Sequence, residues 1–127
     1  MLINWIPDSE VLDLFSGSGA LGLEALSRGA KHAVLCDNSR RAIQVINENV
    51  TKLRMNNKAE VMFSDYKKAL IGLQGKKFDI IFLDPPYKTD YDIQAIEIIQ
   101  NEGLLKDDGI IVLETDSDEK IENIDKL

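Results

Sequence analysis

The chain has 127 residues, 44% hydrophobic and 29% charged, with a formal net charge of −7, a length that allows one domain with its own core and no second one. Its one cysteine, Cys36, and one histidine, His32, exclude an intramolecular disulfide and a cysteine-based zinc site and argue against a His-rich metal centre or a serine-type triad, so no metal is expected. With no run of about 18 apolar residues and no basic, cleavable leader at the N-terminus, a reduced, soluble, cytoplasmic domain with no membrane contact is expected.

In chain order, Val11–Phe15 reads as a strand. Gly17–Gly19 turns the chain, and Ala20–Arg28 carries helix formers up to Gly29, which sits where a helix end wants a left-handed residue. Ala33–Cys36 is a short buried-type strand. Asn38 or Ser39 can cap the next helix, whose apolar positions Ala42, Ile43, Ile46, Val50 and Leu53 keep helical spacing. Ala59–Phe63 is a third strand and Tyr66–Leu73 a short helix. Phe78–Leu83 is a fourth strand, Tyr91–Asn101 a helix, and Gly109–Glu114 a fifth strand. Strands alternating with helices, several of them apolar throughout, predict a doubly wound, mostly parallel α/β sheet with both faces covered.

The charge is uneven. Residues 1–87 hold 11 basic and 10 acidic residues, net +1, and residues 88–127 hold 4 and 12, net −8. An acidic C-terminal third does not suit a freestanding nucleic-acid binder.

Strand one leads into Gly17, Gly19 and Gly22, a G-x-G-x-x-G pattern between a strand and a helix. Glycines there allow a tight turn and let a ligand approach backbone N–H groups. Asp37 ends strand two 20 positions after Gly17, where a carboxylate can take both hydroxyls of a ribose. Ser64 and Asp65 end strand three, and Asp13 lies near the end of strand one. In an open α/β sheet these carboxylates share the ligand-binding edge. Asp37 and Asp65 also stand where helix caps stand. A nicotinamide dinucleotide and S-adenosyl-L-methionine both fit this much. A further carboxylate, Asp13, suits an ammonium better than a pyrophosphate.

Strand four ends in Asp84-Pro85-Pro86-Tyr87. Two prolines donate no hydrogen bonds and hold the local carbonyls in one direction. Asp84 and the Pro85 carbonyl can then both accept hydrogens from one amino group, beside the flat ring of Tyr87. That suits methylation of an exocyclic base amine, whose lone pair is delocalised until its hydrogens are held. The base must leave its stack first.

The glycine loop, Asp37, Ser64-Asp65 and Asp84–Tyr87, in this order, resemble a Rossmann-like class I S-adenosylmethionine-dependent methyltransferase of the amino-methylating group. The string from Val11 to Ala30 resembles, more narrowly, the bacterial RsmD-like 16S rRNA (guanine-N2) methyltransferases. The resemblance implies that Asp13 and the Gly17–Gly19 loop, Ser18 included, hold the methionine end, that Asp37 holds the ribose, and that Asp65 and the backbone at Tyr66 hold the adenine. It adds Phe15, Ser16, Gly22, Asn38 and Ser64 to the cofactor set, gives Asp84, Pro85, Pro86 and Tyr87 to the target base, and makes 16S rRNA or the small ribosomal subunit the partner. Set against that family, residues 1–127 read as one core domain without the N-terminal arm and final β-hairpin.

Three other readings stand beside guanine-N2 methylation. One is an adenine-N6 DNA or RNA methyltransferase, the second an NAD-dependent oxidoreductase, and the third an inactive cofactor-binding fragment. Cys36 reads as a buried structural thiol, and His32 as exposed and without a catalytic role. Arg40-Arg41 and Lys67-Lys68 could touch phosphate, although such pairs are usually only solvated. After Thr115 no further strand is expected. The spacing of Ile121, Ile124 and Leu127 suggests a short amphipathic helix or a frayed end. The outer edge of strand five would then be open, inviting a homodimer by β-addition, self-association or marginal stability, with weak RNA affinity.

Overall fold

The computed structural model describes residues 6–86, 88–114 and 121–125, the backbone alone at Glu114 and 121–125. Tyr87, residues 1–5, residues 115–120 and the last two positions lie outside the described residues. The elements are β1 (Glu10–Asp13), α1 (Ala20–Ser27), β2 (His32–Asp37), α2 (Arg40–Lys52), β3 (Ala59–Phe63), α3 (Tyr66–Gly72), β4 (Phe78–Leu83), α4 (Tyr91–Glu102), β5 (Leu105–Glu114) and β6 (Ile121–Asp125). The four helices expected between strands and all five expected strands form, most within one or two residues of their expected bounds.

The apolar strands place the sheet between two layers. Because successive side chains on a strand point to opposite faces, Val11, Leu35, Ile80, Phe82 and Val112 pack with Leu23 and Leu26 of α1 and Ile46 and Val50 of α2. Leu12, Val34, Ile81, Leu83 and Ile111 pack on the other face with Leu70 of α3 and Ala95 and Ile99 of α4. Cys36 is fully buried in this second layer, and burial pushes its thiol up to about 12, so it is an inert core residue as expected.

Local rules set the element ends. Ser39 caps α2, its side-chain oxygen accepting the Ala42 N–H at 3.2 Å, which decides between the two expected caps. Gly29, at φ +103°, closes α1. The Ala30 N–H reaches back to the Ala25 carbonyl at 3.0 Å and the Gly29 N–H to Leu26 at 3.1 Å, a Schellman pairing that needs the left-handed residue read from the sequence.

The strand order is β3-β2-β1-β4-β5-β6. The first five strands run parallel. From β1 the chain moves outward to β2 and β3, then returns to β4 on the other side of β1. The direction of winding therefore switches between β1 and β4, where open α/β sheets form a crevice outside the strand ends. The register Asp13↔Phe82 sets the residues that follow these two strands side by side.

Two expectations need correction. β5 begins at Leu105 rather than Gly109. Opposite Phe78–Ile80 it carries Leu105–Ile110, and the polar residues Lys106 to Asp108 in this irregular stretch hid the strand start. The segment after Thr115 is also not a helix, because residues 121–125 form β6, antiparallel to β5 with Ile111↔Ile124 in register. A five-residue helix cannot offset its own nucleation cost, whereas the open edge of β5 offers a ready ladder of N–H and C=O groups. The edge proposed for homodimer pairing is thus occupied within the chain. Among the described residues, no helix is long and apolar enough to cross a membrane.

Candidate functional site

The β1–α1 connection is held from three directions. Within it, the Ser16 hydroxyl donates to the Asp13 carbonyl at 2.9 Å, and the Gly19 N–H to the Ser16 carbonyl at 2.8 Å. From β2, the Cys36 carbonyl accepts the Ser16 N–H at 2.8 Å. From α2, Asn49 donates its side-chain amide to the Ser18 carbonyl at 3.1 Å. Gly17 and Gly19 both have positive φ, +60° and +86°, where a Cβ is strained.

Asp37 orders this loop across the sheet edge. Its Oδ2 accepts the Gly17 N–H at 2.8 Å and its Oδ1 the Ser39 N–H at 2.9 Å. A carboxylate offers about four acceptor sites, so two such bonds leave capacity on both oxygens. Asp65 caps α3, its Oδ1 accepting the Lys68 N–H at 2.8 Å. Both carboxylates therefore do structural work, and both also line one cleft.

That cleft, of about 400 Å³, lies at the switch point and is lined by Leu14, Phe15, Gly17, Asp37, Asn38, Ser64, Asp65, Tyr66, Asp84, Pro86 and Tyr91. It brings together nine of the sixteen residues singled out from sequence. Ser16, Ser18, Gly19, Gly22, Asp13 and Pro85 are not in its lining, and Tyr87 lies outside the described residues. Its charged lining residues, Asp37, Asp65 and Asp84, are all acidic. A wider groove of about 510 Å³ opens elsewhere, between α4 and β5, remote from these groups.

Asp13 does not face the cleft. It is 1% exposed, and its Oδ2 accepts the Gly22 N–H of α1 at 3.1 Å. It anchors the helix start from beneath the loop. Burial pushes its carboxyl up to about 7, with the negative charges of Asp84 and Asp37 adding to the rise and the Gly22 N–H opposing it.

Gly22 is required by close packing at this point. A Cβ there would meet Leu35 Cδ2 at 2.1 Å and Asp13 Cβ at 3.4 Å, and Leu35 is fully buried in the sheet. Gly22→Ala is expected to destabilise the chain by about 1–3 kcal/mol through overpacking. Urea unfolding reads this as a lower midpoint with an unchanged slope. An unchanged midpoint would mean that Leu35 swings aside freely.

Sequence reasoning missed Tyr91 and Leu14. Tyr91 opens α4, and its only sequence signal is that helix starts following strands face this edge of the sheet. Its ring lies 4.8 Å from Tyr66 and 6.4 Å from Phe15, nearly parallel to the latter, and Phe15 and Tyr66 are 5.4 Å apart. Tyr66 also donates its hydroxyl to Gln94 of α4 at 2.8 Å. The cleft thus has an aromatic wall beside its acidic rim. Such a site can hold a flat heterocycle, hydroxyl groups and a positively charged group.

Comparison with known proteins agrees with this architecture. A family model described as "Conserved hypothetical protein 95" matches residues 1–127. The Ribosomal RNA small subunit methyltransferase D of Escherichia coli (strain K12) is 36% identical over 119 residues, covering 91% of this chain and 59% of that protein. The chain spans about three-fifths of the length of the curated relatives it matches. A solved structure of a conserved hypothetical protein from Streptococcus pyogenes superposes with a TM-score of 0.81 at 36% identity, over 87% of this chain and 68% of that one. A SAM-dependent methyltransferase from Agrobacterium tumefaciens has the same fold, with a TM-score of 0.73 at 21% identity over 91% of this chain and 43% of that one.

Proposed function

This chain belongs to the family described as conserved hypothetical protein 95, and on that premise we propose that it is the core of a cytoplasmic S-adenosyl-L-methionine-dependent methyltransferase acting on guanine N2 in 16S rRNA of the small ribosomal subunit. The observation that carries the reading is the cleft at the switch point, whose charged lining residues Asp37, Asp65 and Asp84 are all acidic. Three carboxylates repel a pyrophosphate and attract a cation, so they favour a sulfonium and ammonium ligand over a nicotinamide dinucleotide. The name of the E. coli relative supports ribosomal RNA as substrate.

In this reading Asp37 uses its remaining lone pairs on the two ribose hydroxyls, and Asp65 and the Tyr66 backbone take the adenine. Phe15 supplies an apolar surface, with Ser64 and Asn38 beside the carboxylates. The loop of Ser16, Gly17, Ser18 and Gly19 faces the methionine end, with Asp13 and Gly22 holding that loop from below. The cofactor, when bound, supplies an electrophilic methyl group on a sulfonium. Asp84 and the Pro85 carbonyl accept hydrogen bonds from the two amino hydrogens of the target base, with Pro86 beside them, and the family resemblance also gives Tyr87 to that base. Holding those hydrogens pyramidalises the nitrogen and takes its lone pair out of conjugation with the ring, and alignment of this kind contributes up to roughly 7–11 kcal/mol.

The test is thermal denaturation with ligands. S-adenosylmethionine or S-adenosylhomocysteine should raise the melting temperature and NAD should not, because only a ligand of the native state stabilises it. A shift with NAD alone would overturn the reading. Asp37→Ala should weaken S-adenosylhomocysteine binding by about 1.5–3 kcal/mol per lost charge-assisted bond. It also releases the Gly17 N–H, which loosens the loop. Calorimetric affinity equal to wild type would leave Asp37 with a capping role only.

A further inference from the structure

A second surface adjoins the cleft on its β3 side. Phe63 ends β3, the edge strand of the sheet, and pairs in register with Asp37. Its side chain is 50% exposed. A single exposed aromatic is ordinary, but this one carries the Arg40 guanidinium over its ring, 5.1 Å from the centroid. The two residues line a shallow groove of about 440 Å³ with Ile43, Gln44, Asn47 and Glu48.

The groove and the cleft share no lining residue, but their residues follow one another along the chain. Asp37 and Asn38 line the cleft just before Arg40, and Ser64 and Asp65 line it just after Phe63. Arg41 follows on the exposed first turn of α2, beside Gly17, Ser18 and Ser39. Neither Arg40 nor Arg41 forms an ion pair among the described residues. In a chain of net charge −7, two arginines outside any ion pair among the described residues and an open ring near the cleft suit a ligand with both a π-face and a negative charge. Nucleotides of an unpaired strand have both.

We propose that Phe63 and Arg40 form a stacking platform for an unpaired base of the RNA strand that carries the target nucleotide, with Arg41 meeting a phosphate of that strand. The proposal rests on the methyltransferase reading and adds to it a place where the strand is held beside the cofactor edge, apart from Asp84. Stacking on an aromatic face tolerates any base, so this contact would hold the strand without reading its sequence. A duplex, whose bases are already stacked, gains little from it.

The experiment measures fluorescence anisotropy of a fluorescein-labelled single-stranded RNA, alone and annealed into a duplex, with S-adenosylhomocysteine calorimetry on each variant. Phe63→Ala should lose about ten-fold in single-strand affinity and less than about two-fold for the duplex, where the ring has no unpaired base to stack on. Phe63→Trp should keep the single-strand affinity, because the stacking face remains. Arg41→Ala should lower the slope of log affinity against log salt by about 0.7. S-adenosylhomocysteine affinity should be the same in all of them. Equal single-strand affinities for wild type and Phe63→Ala, or a wild type that binds no RNA, overturn the platform while retained S-adenosylhomocysteine binding leaves the methyltransferase reading standing. A wild type that ignores S-adenosylhomocysteine but shows the Phe63 dependence overturns the methyltransferase reading instead.

Discussion

Replacing Asp84 by alanine is expected to lower methyl transfer to small ribosomal subunits by about 10²–10³-fold or more, with S-adenosylhomocysteine affinity little changed. In the proposed function Asp84 holds the amino group of the target base, and an acceptor placed at a reacting group is worth that much when removed. Asp84 is exposed at the end of β4, so its loss leaves the core untouched. Asp84→Asn keeps one acceptor oxygen without the charge and should fall between the two. Calorimetry and a transfer assay on the same preparations separate the effects. A fall in cofactor affinity as large as the fall in rate would move Asp84 into the cofactor site.

The second large effect concerns stability and pH. The Asp13 carboxyl moves from 3.8 to about 7 on folding, chiefly through burial. Between those values the folded chain keeps a proton that the unfolded chain has released. Stability therefore falls as pH rises from about 4 to about 7 and levels off above that. At ~1.4 kcal/mol per pK unit the full span is on the order of 4 kcal/mol. Asp13→Asn retains an acceptor for the Gly22 N–H and has no proton to lose. Relative to wild type, it should gain stability steadily as pH is raised through this window. Urea unfolding of both proteins at several pH values from 4 to 8 checks it. Parallel profiles would mean that Asp13 titrates as an ordinary surface carboxylate.

The second effect acts where local sequence and folded environment part company. Asp37 and Asp65 line the cleft, as their place at the ends of parallel strands predicts. Asp13 looked equivalent by the same rule. It is not, because β1 is an inner strand, flanked by β2 and β4, and α1 packs against its end. The Gly22 N–H of α1 meets the carboxylate at 3.1 Å, and the side chain is 1% exposed. No spacing rule carries that information, since it depends on how closely a helix lies on a strand.

The order of strands and helices along the chain and the two-sided apolar core follow from short-range rules. Alternating helical and strand periods, Ser39 and Gly29 at helix ends, and Pro85-Pro86 after β4 each act within a few residues. Pairings between distant segments decided the rest. β6 exists because β5 has an edge to offer, although residues 121–125 show little strand preference of their own against their acidic surroundings. Tyr91 joins Phe15 and Tyr66 because α3 and α4 pack side by side on one face of the sheet. Phe63 meets Arg40 because β3 lies beside the strand that feeds α2. Local propensity sets what each segment becomes, whereas burial and edge pairing act between segments far apart in the chain and are fixed only when the sheet closes.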